Sequence, residues 1–518
     1  MISATKWVRR GVAAEFPEKI ELDEDEMTRI SNLARMQLDD ARLDLAEAEA
    51  QAGGAIGIDE EAEENGEAEE SNDESTEEPV EQPKEAADDD DDLAEYNMDD
   101  YDDEPVNTAM SAIANVRGLA YHAPDEQDQY LTLPTEQELE AEREELQILP
   151  TDNLILAAKT EDDVSVMEVY VYNEAAETDV AALYVHHDFM LPTFPLCLEW
   201  LPCKVGETKS KANLVAVGTF EPEIEIWNLD VVDGVFPVAI LGQKPEDAKI
   251  VAKGTGKKKS KLKKANDEYH VDAVLSLSSN PHFVNLLASA SADTTVKLWD
   301  LETTKAVKSF GYHTSKVSSV AWNPLEGTVL LSGGYDHYAR VADLRSDDSA
   351  PTVRNFRVEG DVESVKWHPN GYEFFAGTDR GVVYKFDARK ESQPLWKLQA
   401  HDSEITSFDI NAFVNDYMVT GSVDKSIKLW NLAGDRPSML LSRDLDVGKV
   451  FSVGFGPEKE TAGQLTVGGS SGKLKVWNTF SNKAVRSQMA KDYRYTGNGE
   501  QIAVADDGFE DESDDDDN

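Results

Sequence analysis

The sequence contains little cysteine and no long apolar run. It has only two cysteines in 518 residues, Cys197 and Cys203. Two are too few for a disulfide framework and, without a His/Cys set nearby, too few for a zinc site. No stretch approaches 18 consecutive apolar residues, and the N-terminus lacks the apolar core of a signal peptide. We therefore expect a protein of a reducing compartment that neither crosses a membrane nor is secreted.

Basic residues are also scarce, with 49 Lys and Arg against 103 Asp and Glu, a formal net charge of -54. Two runs carry much of the excess: 25 acids and one base between Asp59 and Glu104, and nine acids without a base between Asp506 and Asp517. Such runs have too few apolar groups to offset the entropy of ordering, which predicts disorder. Two interpretations stay open: solubilising tails, or docking surfaces for basic ribosomal proteins or histones. Three serines in these runs would suit an acid-directed kinase: Ser71, Ser75 and Ser513.

A short phrase that usually ends in an aromatic residue and then Asp or Asn recurs along the chain. Its clear copies end at Trp227, Trp299, Trp430 and Trp477, and its degenerate copies at Tyr172, Ala342 and Phe386. The successive intervals are 55, 72, 43, 44, 44 and 47 residues, and four of these six match the length of a four-stranded blade of about 40–45 residues. Each copy reads as four short strands, for example Ile405–Ile410, Tyr417–Thr420, Ser426–Trp430 and Ser438–Ser442. Seven phrases predict an all-β, seven-bladed WD-repeat β-propeller.

A finer pattern of polar residues follows the same spacing. In three repeats a His precedes an Asp by 23 residues, and a hydroxyl residue stands four residues before that Asp. The three sets, with the residue six places after the Asp, are His270, Ser289, Asp293 and Trp299; His313, Ser332, Asp336 and Ala342; and His401, Thr420, Asp424 and Trp430. They resemble the structural hydrogen-bond tetrad of WD repeats. The second set lacks its Trp, so we expect its network to be the weakest.

A Ser/His/Asp set also suggests nucleophilic catalysis. Here the set recurs three times at blade spacing, which an active site would not do, so we interpret it as structural. The sequence offers no other catalytic set, no metal-ligand cluster and no cofactor loop. The segment Gly254–Lys257 fails the spacing of a phosphate-binding P-loop, because position 251 is Val and position 258 is Lys. We expect a non-enzymatic protein without metal, cofactor or small-molecule substrate.

Several segments resemble the periodic tryptophan protein 1 family, a eukaryotic WD-repeat group. They are Trp7–Ala13, His187–Pro192, Phe194–Leu201, Ala288–Asp293, Gly434–Ser438 and the acidic Asn97–Asp102. The resemblance extends from about residue 4 to about residue 480. It implies a nucleolar factor for assembly of the large (60S) ribosomal subunit and processing of precursor rRNA, acting on the pre-60S particle with other assembly proteins. The alternative from another class is a chromatin-associated adaptor that binds histones.

The longest interval between repeats contains a basic insertion, residues 244–266. Seven of its lysines fall within 12 residues that contain no acid: Lys253, Lys257, Lys258, Lys259, Lys261, Lys263 and Lys264. A nuclear import signal and contact with RNA phosphates are both compatible with this run, and a solvated loop is the plain alternative. The insertion joins two blades in the connection that elsewhere carries the tetrad His. We therefore expect it at the same end of the propeller as the Asp turns.

The N-terminal arm is the second candidate binding element. Lys6, Trp7, Arg9 and Arg10 precede the first repeat in an otherwise acidic chain. Trp and Arg are common interface anchors, so we expect these residues to lie outside the propeller and to bind a partner or RNA. Packing of the arm against the propeller is the alternative.

The remaining segments give an expected domain order. Residues 1–50 would be the arm and an amphipathic helix (Glu24–Ala50), 51–106 an acidic linker, and 107–150 a partly ordered segment with a short helix to about Leu149. The propeller would span 151–495, and 496–518 would be an acidic tail. The first blade shows only three strands, and its missing innermost strand could come from upstream residues or from Gln501–Ala505.

Overall fold

A computed structural model of the chain describes residues 1–19 and 141–505, apart from 142, 145, 163, 175–181, 233, 245–265, 346–350, 391–392, 435 and 492–500. Within these residues the strands form seven four-stranded sheets, and the first strands of neighbouring blades contact one another around the whole ring. The seven-bladed β-propeller predicted from the repeat is therefore confirmed. No helix in the described ranges is long and apolar enough to cross a membrane.

Each blade is an antiparallel sheet whose first strand is the innermost. Blade 1 contains β1 (Ile2–Val8), β3 (Asn153–Glu161), β4 (Val164–Tyr172) and β5 (Leu183–Leu191). Blade 2 contains β6 (Pro195–Lys204), β7 (Glu207–Thr219), β8 (Ile224–Asn228) and β10 (Ala239–Leu241). Blade 3 contains β11 (Val274–Ser279), β12 (Leu286–Ser291), β13 (Val296–Asp300) and β14 (Lys305–Phe310). Blade 4 contains β15 (Val317–Trp322), β16 (Val329–Gly334), β17 (Tyr338–Asp343) and β18 (Thr352–Arg357).

The last three blades follow the same order. Blade 5 contains β19 (Val362–Trp367), β20 (Glu373–Thr378), β21 (Val382–Asp387) and β22 (Trp396–Gln399). Blade 6 contains β23 (Ile405–Ile410), β24 (Tyr417–Ser422), β25 (Ser426–Asn431) and β26 (Ser438–Asp444). Blade 7 contains β27 (Val450–Phe455), β28 (Gln464–Gly469), β29 (Lys475–Asn478) and β30 (Ile502–Val504). A short helix, α1 (Lys483–Met489), lies between β29 and β30.

The core lies between stacked blades. Every residue of β16, β24 and β28 is buried, because a second strand is flanked within its own sheet and covered on both faces by neighbouring blades. Tryptophans at the ends of two inner strands tie blades 4 and 5 to the blades before them. The indole of Trp322 donates to Ser278 O at 3.1 Å, and that of Trp367 donates to Ala321 O at 3.1 Å.

The antiparallel order gives the propeller two ends. The turns between the second and third strands lie with the blade-to-blade connections at one end, which we call the tetrad end. The turns between first and second strands lie at the other, the hairpin end. There the side-chain amides of Asn280 and Asn323 donate to Gly327 O and Gly371 O of the next blade, at 2.7 and 2.8 Å. The same type of bond joins blade 6 to blade 7, from Asn411 to Ala462 O at 2.6 Å.

Segments from both sides of the predicted propeller complete the ring, so the expected boundaries of 151–495 are wrong. β1 pairs with β3 in antiparallel register, with Thr5 opposite Ala157, and is the inner strand that blade 1 lacked. β30 pairs with β29 as the outer strand of blade 7. The physical reason is that both blades would otherwise leave a strand edge unpaired.

The chain after β1 runs along the hairpin end of blade 2. The backbone N–H of Ala14 donates to Asp230 Oδ1 at 2.9 Å, and β2 (Glu18–Lys19) pairs in parallel with β9 (Val231–Val232). The end of the expected 107–150 segment is also ordered: Ile148 is buried, and its N–H donates to Glu15 O at 2.9 Å. The amphipathic helix predicted at Glu24–Ala50, the linker at 51–106 and the acidic run at 506–517 lie outside the described residues.

Candidate functional site

Blade 3 contains a continuous chain of hydrogen bonds from its Trp to its Asp. The indole N–H of Trp299 donates to Ser289 Oγ at 2.8 Å, and Ser289 Oγ lies 2.6 Å from His270 Nε2. His270 Nδ1 lies 2.9 Å from Asp293 Oδ2. Because a carboxylate only accepts, Nδ1 carries the proton and Nε2 accepts from the serine hydroxyl. The four side chains thus tie the connection before β11 to the sheet and to the turn after β12.

Blade 6 repeats this geometry and blade 4 varies it. In blade 6 the distances are 2.9 Å from Trp430 Nε1 to Thr420 Oγ1, 2.8 Å from Thr420 Oγ1 to His401 Nε2, and 2.9 Å from His401 Nδ1 to Asp424. In blade 4, His313 lies 2.9 Å from Ser332 and 3.0 Å from Asp336.

The Trp missing from blade 4 has a substitute. The hydroxyl of Tyr312 lies 3.2 Å from Ser332 Oγ, and the Arg340 guanidinium donates to Asp336 at 2.8 Å. Burial raises the pKa of Tyr312 to about 12, so the hydroxyl stays protonated. The spacing of the repeat gives no sign of these two replacements, which come from the residue before His313 and from β17.

Burial keeps these histidines neutral. It lowers the pKa of His270, His313 and His401, although each has an Asp partner that acts in the opposite direction. Burial alone would raise the pKa of Asp293, but the hydrogen bonds from His270 and Thr295 outweigh it and hold that pKa at about 2. Each network therefore contains a neutral imidazole and an ionised carboxylate. The His, hydroxyl and Asp groups of each network are hydrogen-bonded to one another within the fold, as a structural role requires.

The N-terminal arm lies inside the propeller, and the expectation that Trp7 lies outside it is wrong. Trp7 is 6% exposed in β1, and its indole N–H donates to Gly454 O of blade 7 at 3.2 Å. Its ring packs edge-on against Tyr172, with centroids 6.3 Å apart. The structure thus uses Trp7 for packing, the second of the two alternatives, because β1 is the strand that closes the ring.

The charged neighbours of Trp7 also have partners on the propeller. Lys6 pairs with Glu199 of blade 2. The Arg10 guanidinium donates from Nε to Asn153 Oδ1 at 2.7 Å and lies 3.8 Å from both Glu174 and Glu458. Arg9 is exposed, with its guanidinium 6.0 Å from the ring centre of Trp200.

Of the four arm residues, Arg9 has the most accessible charge. The candidate lysines of the basic insertion, from Lys253 to Lys264, lie outside the described residues. In the described ranges no group of three or more His, Cys, Asp or Glu side chains could hold a metal ion.

Several carboxylates lie close together at the tetrad end of blades 4 to 6. At the tetrad end the Tyr335 hydroxyl donates to Glu363 Oε2 at 3.0 Å. Burial, with repulsion from Glu404, raises the pKa of Glu363 to about 7. Burial likewise raises the pKa of Glu404, with Asp379 adding to the shift. Carboxylates therefore crowd one another at this end. At the hairpin end of blades 2 and 3, Lys204, Lys209, Lys211 and Lys305 are exposed. The sequence does not mark them as a site, because they do not form a continuous basic run.

Comparisons with known proteins place this architecture in a family. A family model described as the β-propeller of nucleolar protein 10-like proteins, N-terminal domain, matches residues 205–455. A WD repeat-containing protein of Schizosaccharomyces pombe is 46% identical over 94% of this chain and 90% of its own length. Periodic tryptophan protein 1 of Saccharomyces cerevisiae is 40% identical over 94% of this chain and 90% of its own. The Drosophila melanogaster homolog is 31% identical over 88% of this chain and 92% of its own. The chain therefore belongs to the periodic tryptophan protein 1 family of WD-repeat proteins.

Proposed function

We propose that this chain is a non-enzymatic scaffold of ribosome biogenesis that acts in the nucleolus on the precursor of the large subunit. Its family membership and the match to a nucleolar protein model support a ribosome-biogenesis WD-repeat factor. The proposed partners are precursor rRNA and other assembly proteins. A nuclear and nucleolar location belongs to the same proposal.

The observation that carries the scaffold role is the use of the polar sets within the fold. The three His/Asp sets are buried and hydrogen-bonded inside their blades. What the propeller offers to a partner is therefore the loops and strand ends of a closed ring. Such a surface suits the simultaneous binding of several macromolecules.

Segments beyond the propeller add charge of both signs. The lysines between Lys253 and Lys264 suit nuclear import and contact with RNA phosphates. The acidic runs at Asp59–Glu104 and Asp506–Asp517 suit basic ribosomal proteins, and they would repel non-specific RNA. The same acidic runs also fit the alternative function, a chromatin adaptor that binds histones.

Gradient sedimentation of nuclear extract tests the proposal. Tagged wild-type protein is expected to peak with large-subunit precursor particles, in a manner sensitive to RNase. A variant with Gln at Lys257, Lys258, Lys259 and Lys261, fused to an independent import signal, separates RNA contact from import. Partial loss of the particle peak is expected for it. A protein that stays at the top of the gradient, or follows nucleosomes despite RNase, would contradict the ribosome assignment and favour the chromatin one.

Trp7 and Arg10 are unsuitable for mapping the partner surface. Both residues have structural partners, Gly454 O for the indole and Asn153 Oδ1 for the guanidinium. Changes there would weaken ring closure and remove binding indirectly. Arg9→Ala is the appropriate variant of the arm, because Arg9 is exposed.

A further inference from the structure

The hairpin β6–β7 of blade 2 projects beyond its own sheet. Its strands are 10 and 13 residues long, and β8 pairs only with the part of β7 from Leu214 to Gly218. The preceding part of β7, from Glu207 to Ala212, has no third strand beside it among the described residues, so this half of the hairpin extends past the sheet at the hairpin end. An extension of this kind adds surface without adding to the core between blades.

The projecting part carries lysines on its exposed side. Lys209 and Lys211 alternate with the half-buried Thr208 and Ser210, and all four lie in the same run of β7. Neither Lys209 nor Lys211 makes an ion pair with a described residue. Lys204 is 62% exposed and lies 3.9 Å from Glu207, which is itself 65% exposed. In a chain with twice as many acids as bases, two lysines without a carboxylate partner are available for an external anion.

Contacts with blade 3 hold the hairpin in place. The N–H of Gly206 at its tip donates to Leu301 O at 3.0 Å, and Cys203 Sγ donates to Val284 O at 3.2 Å. The first contact brings the tip beside the turn before β14, where Lys305 is exposed. The second brings it beside Phe283, whose ring is 47% exposed. The four lysines and the aromatic ring therefore lie on neighbouring segments at the hairpin end, together with the exposed Glu207 and Glu302.

The spacing of these groups fits a polyanion strand. Residues two apart on a β-strand lie about 7 Å apart on one face, similar to the separation of successive phosphates in an extended nucleic acid strand. Lysine acts as a point charge and tolerates such a backbone without a fixed geometry, whereas carboxylate recognition in proteins favours the fork of arginine. An exposed aromatic ring beside the cations can stack a base. These features favour RNA over an acidic protein.

We propose that Lys204, Lys209, Lys211 and Lys305 bind the phosphates of a single-stranded RNA segment, with Phe283 stacking one of its bases. This deepens the proposed function and rests on it for the choice of RNA as the physiological polyanion. The four lysines and the ring are named here as the lysine hairpin surface. The contacts are independent of sequence, since no group on this surface is placed to read a base edge.

Fluorescence anisotropy with the full chain and a labelled single-stranded RNA, about 16 nucleotides long, tests this surface. The hairpin variant carries Gln at Lys204, Lys209 and Lys211. The control variant carries Gln at Lys316, Lys425 and Lys449, which are exposed at the tetrad end, so both variants lose the same charge. We expect the hairpin variant to bind about tenfold more weakly than the control, with the slope of log K against log salt reduced by about 2. Both variants should unfold at the temperature of wild type, because all six lysines are exposed.

Phe283→Ser is the second variant and separates stacking from charge. We expect it to weaken RNA binding about fivefold or more while leaving the salt slope unchanged, because stacking releases no counterions. Equal RNA affinity of the hairpin and control variants would overturn the proposal. So would a hairpin variant that keeps wild-type RNA affinity but no longer binds a labelled polyglutamate peptide, because the partner would then be an acidic protein.

Parallel gradients distinguish the failure of this inference from that of the proposed function. If wild type does not sediment with large-subunit precursors but the two lysine variants still differ in RNA affinity, the scaffold assignment fails and the lysine hairpin surface stands. If wild type sediments with the particles and the two variants bind RNA equally, the surface assignment fails and the scaffold role stands.

Discussion

The tetrad blades and the closure of the ring are stabilised by contacts of very different range. In blades 3 and 6 the His–Asp bond joins residues 23 apart in the chain. At the closure Thr5 Oγ1 lies 2.8 Å from Ser452 Oγ, and Trp7 donates to Gly454 O, contacts that join residues 447 apart. Most blades can therefore form from one repeat, but the ring closes only when the first strand of the chain meets the last blade.

The strand β1 is also tightly packed where it closes the ring. Ile2 is fully buried, and a Cβ at Gly468 of blade 7 would lie only 2.7 Å from its Cγ2. On its other side β1 contacts blade 2, where Ser3 Oγ donates to Pro195 O at 2.7 Å. One seven-residue strand thus links blades 7, 1 and 2. Local repetition therefore builds the individual blades, whereas a single non-repeated segment joins the first blade to the last.

The largest expected effect is at the closure. Trp7→Ala removes a buried ring at the contact with blade 7 and is expected to lower the free energy of unfolding by about 3–5 kcal/mol. Trp7→Phe keeps an aromatic ring but loses the bond to Gly454 O, and should cost about 1 kcal/mol. Urea denaturation followed by tryptophan fluorescence and circular dichroism measures both changes. Arg9→Ala is the control, with an expected change within about 0.5 kcal/mol because the side chain is exposed. A Trp7→Ala variant as stable as Arg9→Ala would show that β1 does not carry the closure.

An intermediate effect is expected within the tetrad blades. His401→Ala leaves the Thr420 hydroxyl and Asp424 without one partner each, which should cost about 2–3 kcal/mol. His313→Ala should cost about 1 kcal/mol less, because Arg340 still pairs with Asp336 and the Tyr312 hydroxyl still contacts Ser332. The midpoints of thermal and urea unfolding measure the difference. If His313→Ala proved the more damaging change, the substitutes in blade 4 would not be compensating.

A pH-dependent effect is expected in blade 2, which replaces the tetrad with a single carboxylate. The Trp227 indole donates to Glu225 Oε2 at 3.1 Å, and burial, partly offset by this bond, raises the pKa of Glu225 to about 7. The Glu225 carboxyl of the folded protein therefore stays protonated at pH values at which the unfolded chain has already lost this proton. The stability that Glu225 contributes is fully present below its unfolded pKa of 4.5 and is lost as pH rises through about 7.

Glu225→Gln removes this titration and keeps an acceptor for the indole. We expect the variant to equal wild type at pH 4 and to be more stable by up to about 3 kcal/mol at pH 8, since a pKa raised from 4.5 to about 7 corresponds to about 1.4 kcal/mol for each pKa unit. Chemical denaturation across this pH range measures the difference. Glu302→Gln, at an exposed position, is the matched control and should follow wild type throughout. A difference between Glu225→Gln and wild type that stays constant with pH would contradict the expected titration.

The regular blades were predictable because their information is local. Spacings of 23 and 4 residues around Asp293 and Asp424 identify the hydrogen-bond sets from the sequence alone. The strands expected for blade 6 end within two residues of β23 to β26. The part played by Tyr312 was not predictable in the same way. Tyr269 also precedes the His of blade 3, so the residue type at position 312 did not signal that its hydroxyl would contact Ser332.

The N-terminal arm shows why the candidate site was harder. The sequence signature is the same whether Trp and Arg pack beside a strand edge or anchor a partner interface. Both settings need a large apolar ring and a cation with a partner. Only the pairing of β1 with β3, across more than 140 residues, distinguishes the two. The lysine hairpin surface was missed for a related reason. Lys209 and Lys211 are exposed together because β7 extends beyond β8, a length that composition does not reveal.

By itself the sequence determined the number of blades, the family and the three His–Asp networks, because each depends on residue types repeated at short, constant spacing. The tertiary structure alone decided which segment closes blade 1, that Ile502–Val504 is the outer strand of blade 7, and which lysines lie together at the hairpin end. Backbone hydrogen bonds between strands require little of the side chains. Residue types therefore do not specify which strands distant in sequence will pair. Such strand partners are chosen by which unpaired edges remain when the other blades have formed.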